Sequence, residues 1–349
     1  MKHVTIKDIA KELNLSISTI SRAFNDKYDI RSETRQLILN KAREMGYRPN
    51  PFARNLLRQR SMNIGVVIPE FIGSFFPEVI IGAQEVLFKE GYQVLITQSN
   101  ECCKTESENV KQLEKNMVDG LLISLTHETE SIDYYKELIS SGLPIVFFNR
   151  VSEQPETSKV LFDDYKWAFF ATEHLIYQGY KKIFHLAGPA HLSLSKNRIR
   201  GFQNAHKKHR LEIPASHIIP SDFMIEDGKR VAAEIIENGN IPDAIFAAGD
   251  LTAIGAMKVF KKNGYRIPED IAFVGFSEQT LARHIEPPLT SVAQPTFEIG
   301  RTAAKLLVAQ IENKGVHIPQ TITLSGKLNI RSSSMRLRPN KITNESKTL

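Results

Sequence analysis

The sequence predicts two structural classes in one chain: a small all-α unit containing a helix-turn-helix, then a larger α/β unit built on parallel sheets. Charge and periodicity point to this division. Residues 1–60 hold 13 Lys/Arg against 6 Asp/Glu, a net +7, whereas the remainder of the 349-residue chain holds 32 against 33. From Ile64 onward, short apolar runs alternate with helix-like stretches almost to the end. The length exceeds what one core usually supports, so two or three domains are expected. With 42% hydrophobic and 24% charged residues and 2 Cys, disorder, collagen and a disulfide scaffold are excluded.

A basic balance confined to one terminal segment is the footprint of a partner bearing phosphates, either nucleic acid or an anionic membrane. The opening MKHVTIKDIA lacks the apolar region of a signal peptide and already contains Asp8. No run approaches the roughly 18 apolar residues of a spanning helix, so no membrane partner is expected. Cys102 and Cys103 are adjacent in a polar stretch, and neighbouring residues rarely bridge. These features predict a reduced, cytoplasmic protein.

The first helix covers about 5–13: Ile6, Ile9, Ala10 and Leu13 share a face, and Thr5 with Asp8 resembles a capping box. Ser16 caps a second helix to Asn25, with Ile20, Ala23 and Phe24 inward and Ile17, Ser18, Ser21, Arg22 and Asn25 outward. Only Asn14 and Leu15 separate the two. Ser32 caps a third helix with Ile38, Ala42 and Met45 buried, ended by Gly46. A helix in the major groove needs short polar side chains and an Arg in its N-terminal half, which Ser18, Thr19, Ser21 and Arg22 supply. A solvated helix face is the plainer alternative, and the local charge excess argues against it.

In YRPNP, Asn50 can cap and Pro51 open a short helix at 52–57, too short to hold in water and expected to fold on docking. Arg54, Arg58 and Arg60 would face phosphates, and Leu56 or Leu57 is an apolar wedge suited to a minor-groove base step. The alternative is a basic linker.

The strings VTIKDIAKELNLSISTISRAFN, IRSETR and GYRPNPFARNL resemble the DNA-binding headpiece and hinge of the lactose-repressor (LacI/GalR) family of bacterial transcription factors. The resemblance implies that Ile17, Ser18 and Arg22 read bases in double-stranded operator DNA. It also implies that Thr5, Thr19, Ser21, Asn25 and Asn50 anchor to phosphates, and that Leu56 is the hinge wedge. Leu13-Asn14 stands where the family often has Ala-Gly; Asn tolerates positive φ, so the turn should survive.

The α/β pattern runs through strands at 64–69, 94–97, 120–124, 145–149, 183–187, 244–248 and 271–276, with helices near 77–90, 167–178, 226–238, 252–263 and 297–312. Continuous apolar strands between helices imply sheets covered on both faces, and the length implies two of them. GYQV, DGLLIS, FFNR, HLIYQGYKKI, RIRGF, AAGDLTAIGAMKVF and GYRIPEDIAFVGF resemble the core of the same family, which is similar to periplasmic sugar-binding proteins. That resemblance implies two α/β lobes with a ligand between them. The expected organisation is a helix-turn-helix domain at 1–48, a hinge and linker at 49–61, a two-lobe effector-binding and dimerisation domain at 62–335, and a polar tail at 336–349.

Ligands of open parallel sheets sit beyond the strands' carboxyl ends. The candidates there are Phe71, Phe75, Phe76, Ser124, Asn149, Arg150, Ser195, Arg198, Phe223, Asp250, Ser277 and Gln294. Aromatic rings can stack on a ring-shaped ligand, and the two guanidinium groups can bind its oxygens or its charge. The alternatives are core packing for the Phe residues and a structural ion pair for Asp250 or Arg150. The family often has Asp, Asn and Asp where this chain has Asn149, Gly249 and Ser277. With two carboxylate acceptors lost and both arginines kept, a sugar acid, phosphosugar or uronate fragment is the expected effector beside a plain sugar.

Nucleophile elbow, phosphate loop, dinucleotide fingerprint and paired zinc histidines are all missing from the sequence, so no catalysis, cofactor or metal is expected. His185 in an apolar strand reads as an interior histidine, and Asp163-Asp164 as a loop or helix cap. The expectation is a ligand-responsive regulator, working as a homodimer on a near-palindromic operator. An exported sugar-binding protein and an α/β enzyme are the competing classes.

Overall fold

The computed structural model describes residues 4–24, 30–47, 60–154, 156–313 and 318–336. Asn25, Asn50, Arg54, Leu56, the expected hinge helix and the tail beyond Arg336 lie outside the described residues. The chain forms two compact units, Met1–Ser61 and Met62–Leu349.

The first unit contains α1 (Ile6–Leu13), α2 (Ile17–Phe24) and α3 (Ser32–Glu44). The backbone N–H and hydroxyl of Thr5 both donate to Asp8 Oδ2, at 2.8 and 2.7 Å, which fixes the start of α1. Asn14 closes it in the left-handed region, φ 51° and ψ 40°, a conformation that asparagine adopts readily. Ser16 Oγ accepts the Thr19 N–H at 3.1 Å and so caps α2. Ser32 is the first helical residue of α3 and not its cap: the helical hydrogen bonds begin one residue earlier, with Arg35 N–H donating to Arg31 O at 3.0 Å. Ile9, Ala10, Ile20, Ala23, Ile38 and Ala42 form the core.

The second unit begins with β1 (Asn63–Ile68), α4 (Phe75–Lys89), β2 (Gln93–Gln98), α5 (Cys103–Lys115), β3 (Gly120–Ile123), α6 (Asp133–Ser140), β4 (Ile145–Phe148) and β5 (Lys159–Phe162), which build a first lobe. The chain crosses to a second lobe of α7 (Asp164–Tyr177), β6 (Ile183–Ala187), α8 (Ser193–Lys208), β7 (Ile218–Pro220), α9 (Ile225–Glu237), β8 (Ala244–Ala247), α10 (Asp250–Lys262), β9 (Ala272–Phe276), α11 (Thr280–His284) and β10 (Thr290–Ala293). It returns for α12 (Thr296–Glu312) and β11 (Thr321–Leu324), then crosses again to β12 (Lys327–Asn329).

The first sheet has the order β11-β5-β4-β3-β1-β2 and is parallel throughout. The second has the order β12-β10-β9-β8-β6-β7, with only β12 antiparallel. Strands β3, β4, β6, β8 and β9 are buried at every residue, as helices on both faces of a sheet require.

The three crossings touch one another. Asp163 N–H donates to Leu324 O at 3.0 Å, and Trp167 Nε1 to Ser325 Oγ at 3.2 Å. A Cβ on Gly326 would stand 2.2 Å from Ala293 O and 2.9 Å from the Phe162 ring. Only glycine permits that approach, so the hinge between the lobes is a packed joint of named contacts.

Candidate functional site

In the first unit, α2 buries Ile20 and Ala23 and turns Ser18 and Arg22 outward, with Ile17 45% exposed although apolar. Thr5 is exposed; Thr19 and Ser21 are half-buried. The Ser16 hydroxyl lies 2.7 Å from those of both Ser18 and Thr19, so the N-terminus of α2 carries a fixed cluster of short hydroxyls. Free N–H groups at such a terminus favour phosphate oxygens.

In the second unit, a narrow cleft of about 60 Å³ lies between the lobes, beyond the carboxyl ends of β1, β4, β8 and β9. Phe75, Phe76, Asn149, Arg150, Arg198, Phe223, Asp250, Ser277 and Gln294 line it. So do Glu70, Leu194, Leu251 and Gln279. Phe71 does not: its loop turns it outward, 44% exposed. Ser124 and Ser195 are fully buried outside the lining, and their hydroxyls have no partner among the described residues. Asn149 and Ser277 hold φ of 58° and 108°, backbone that non-glycine residues rarely adopt and that surrounding contacts must enforce.

Both guanidinium groups are already engaged. Arg198 bonds Asp164 Oδ1 through Nε at 2.8 Å and Nη2 at 2.7 Å, donates to Ala248 O, and stacks 3.8 Å from the Phe276 ring centroid. Arg150 Nη1 lies 2.7 Å from each oxygen of Glu101, with its guanidinium 5.2 Å from the Phe223 ring centroid. The expectation of an acidic ligand rested on two lost acceptors and two retained arginines; both arginines stand in the cleft, each paired with a carboxyl of the chain. Carboxyls are in excess instead. Burial pushes Glu70 up to about 7, with Arg150 opposing and Glu101 and Asp222 adding to the shift. Burial likewise raises Asp250 to about 7, although Ser291 Oγ and Gln279 N–H both donate to it at 2.6 Å.

Gln294 Nε2 is buried and without a partner among the described residues, a donor available to a ligand oxygen. His185 is fully buried between Phe246 and Phe202, with ring centroids at 4.7 and 5.2 Å. Its Nδ1 lies 2.9 Å from Phe246 O, and burial lowers its pKa to about 4. Asp163 caps α7, accepting the Lys166 N–H at 3.1 Å, while its neighbour Asp164 is the buried partner of Arg198. Among the described residues no three potential ligands gather for a metal, and no helix is long and apolar enough to cross a membrane.

Residues 5–50 match the family of bacterial regulatory proteins, lacI family, and residues 61–330 match the periplasmic binding proteins and sugar binding domain of LacI family. The ribose operon repressor of Halalkalibacterium halodurans is 32% identical over 310 residues, 89% of this chain and 91% of that one. A transcriptional regulator CelR–cellobiose complex is 28% identical with a TM-score of 0.73, covering 95% of this chain and all of the other. The Lac repressor dimer bound to operator and the anti-inducer ONPF shares the fold, with a TM-score of 0.84 at 23% identity over 96% of this chain and all of that one.

Proposed function

The chain belongs to the lacI family of bacterial regulatory proteins, a DNA-binding regulator and not an enzyme, and from that premise we propose that it represses sugar-utilisation genes in the cytoplasm. The exposed face of α2 in a segment of net +7 carries this reading. Ile17, Ser18 and Arg22 read bases, and Thr5, Thr19 and Ser21 hold phosphates. Asn25, Asn50, Arg54 and Leu56, outside the described residues, complete the contact set.

One headpiece makes too few contacts for useful selectivity, so the working species is a homodimer on a near-palindromic operator. Selection from random duplex DNA at fixed salt tests the reading: one inverted repeat should be enriched, and a pool without enrichment overturns it. Arg22→Ala should relax preference at one or two of the selected positions and cost about 1–3 kcal/mol; unchanged specificity removes its base-reading role.

The cleft takes a neutral sugar as effector, stacked by Phe223 and Phe76 and bonded by Gln294, Arg198 and Glu70. With both arginines paired inside the chain, an acidic ligand finds its countercharge in the cleft already neutralised. By titration calorimetry, a neutral pentose or hexose that binds should do so at least about tenfold more tightly than its uronic or aldonic acid, the equivalent of ~1.4 kcal/mol. Tighter binding of the acid contradicts this assignment.

A further inference from the structure

One polar cluster bridges the lobes at the cleft without belonging to either sheet. Ser74, just before α4 in the first lobe, donates to Gln279 Oε1 in the second through its backbone N–H at 2.6 Å and its hydroxyl at 3.1 Å. The N–H of Thr280 donates back to Ser74 Oγ at 3.2 Å. Gln279 is only 8% exposed, and its own N–H donates to the buried Asp250 carboxylate at 2.6 Å. Asp250 is fastened in turn by Ser291 Oγ, so the bridge is anchored in the second lobe's interior. Ser277 and Glu278, with φ of 108° and 58°, turn the backbone to deliver Gln279 to the mouth. On the facing side Gly73 has φ +84°, and a Cβ there would stand 2.5 Å from Gln279 Oε1. Both partners are therefore shaped for this contact.

We propose that Ser74 and Gln279 form an inter-lobe latch, made wholly of the chain's own atoms, which biases the two lobes toward closure independently of the effector. The physical ground is that three hydrogen bonds, two of them partly buried, each favour the closed arrangement, and opening must exchange every one for a bond to water. A ligand that prefers closed lobes then binds a partly prepared site, and one that prefers open lobes must first break the latch. The inference concerns the regulation of the cleft assigned above and rests on that reading for its consequence at DNA. Its test needs neither DNA nor effector, so the two fail separately.

The chain contains one tryptophan, Trp167, bonded to Ser325 in the third crossing, and its emission reports the hinge. Full-length wild type, Ser74→Ala, Gln279→Ala, Gln279→Glu and the double alanine variant are compared by small-angle scattering and by acrylamide quenching of Trp167. Ser74→Ala loses two of the three bonds but keeps the backbone one, and Gln279→Ala loses both bonds to its carboxamide. Each should raise the open-to-closed ratio by about fivefold or more, roughly one net hydrogen bond, seen as a larger radius of gyration and stronger quenching. The double variant, which also loses the Thr280 bond, should open further than Gln279→Ala but by less than the two single effects summed, because the Ser74 Oγ–Gln279 Oε1 bond is common to both. Gln279→Glu keeps an acceptor oxygen and should stay near wild type. Scattering and quenching unchanged in both single variants, or effects that simply add, overturn the latch. If Gln279→Ala does not fold, Ser74→Ala, which deletes one hydroxyl outside the cleft lining, decides alone.

Discussion

Arg198→Ala is expected to destabilise the two-lobe unit by about 3–5 kcal/mol, far more than the loss of a ligand contact. The guanidinium and the Asp164 carboxylate are only 4% and 8% exposed, and they bond at 2.7 and 2.8 Å. Removing the cation leaves a buried carboxyl that must either keep an uncompensated charge or take up a proton. Alanine also abandons the Ala248 carbonyl and the face of Phe276. Loss of effector response in this variant therefore says little about ligand contact by itself. The discriminating experiment pairs Arg198→Met with Asp164→Leu. Replacing both charges with apolar groups of similar volume should recover most of the stability, because the cost lies in the orphaned charge. If response stays lost in the restored double variant, Arg198 touches the effector. Chemical denaturation showing the alanine variant within ~1 kcal/mol of wild type would contradict the buried-pair account.

The same residue marks where sequence reading stops. Charge partition, the caps at Thr5 and Ser16, and the left-handed Asn14 are local properties, each decided within four residues, and they were legible. The fully buried strands were legible for the same reason, since an apolar run needs no partner to be recognised. Helix α8 was not read as a helix. Its buried stripe, Leu194, Ser195, Arg198, Gly201, Phe202, Ala205 and His206, includes a cation and two other polar residues, so apolar periodicity understates it. Helix α5 hides in the same way behind buried Glu106, which Tyr135, Thr129 and the Thr126 N–H satisfy. The short strands β5, β7, β11 and β12 gain their identity from pairings made at long range, such as Lys159 with Thr321. In the cleft, placing candidates beyond strand ends identified positions but not their electrostatics. Glu101 lies 49 residues from Arg150, Asp164 34 from Arg198, and Gln279 205 from Ser74. No periodicity links such partners, so an ion pair for Arg150 could be offered only as an alternative, and neither arginine's partner could be named.

His185 gives the protein a stability that depends on pH in a direction opposite to its cleft carboxyls. The folded chain holds the imidazole at about 4 against an ordinary value of 6.5, because burial between Phe202 and Phe246 excludes the charged form. Below 6.5 the unfolded chain takes up the proton first, so stability falls as pH drops and is exhausted near 4. From pH 7.5 to 4 the loss from this site amounts to about 3 kcal/mol. Glu70 and Asp250, raised to about 7, work the other way. Each favours the folded state as it protonates, so the total pH curve mixes opposing contributions and cannot isolate the histidine. The difference from a His185→Phe variant can, because the carboxyls are common to both. Phenylalanine keeps the aromatic stack but loses the bond to Phe246 O, costing ~1 kcal/mol at pH 7.5. On acidification the wild type should lose its lead and fall below the variant, the gap changing by about 3 kcal/mol in all. Denaturant melts followed by Trp167 fluorescence at the two pH values measure it. A gap that stays constant with pH would mean that His185 is protonated, or hydrated, in the folded protein.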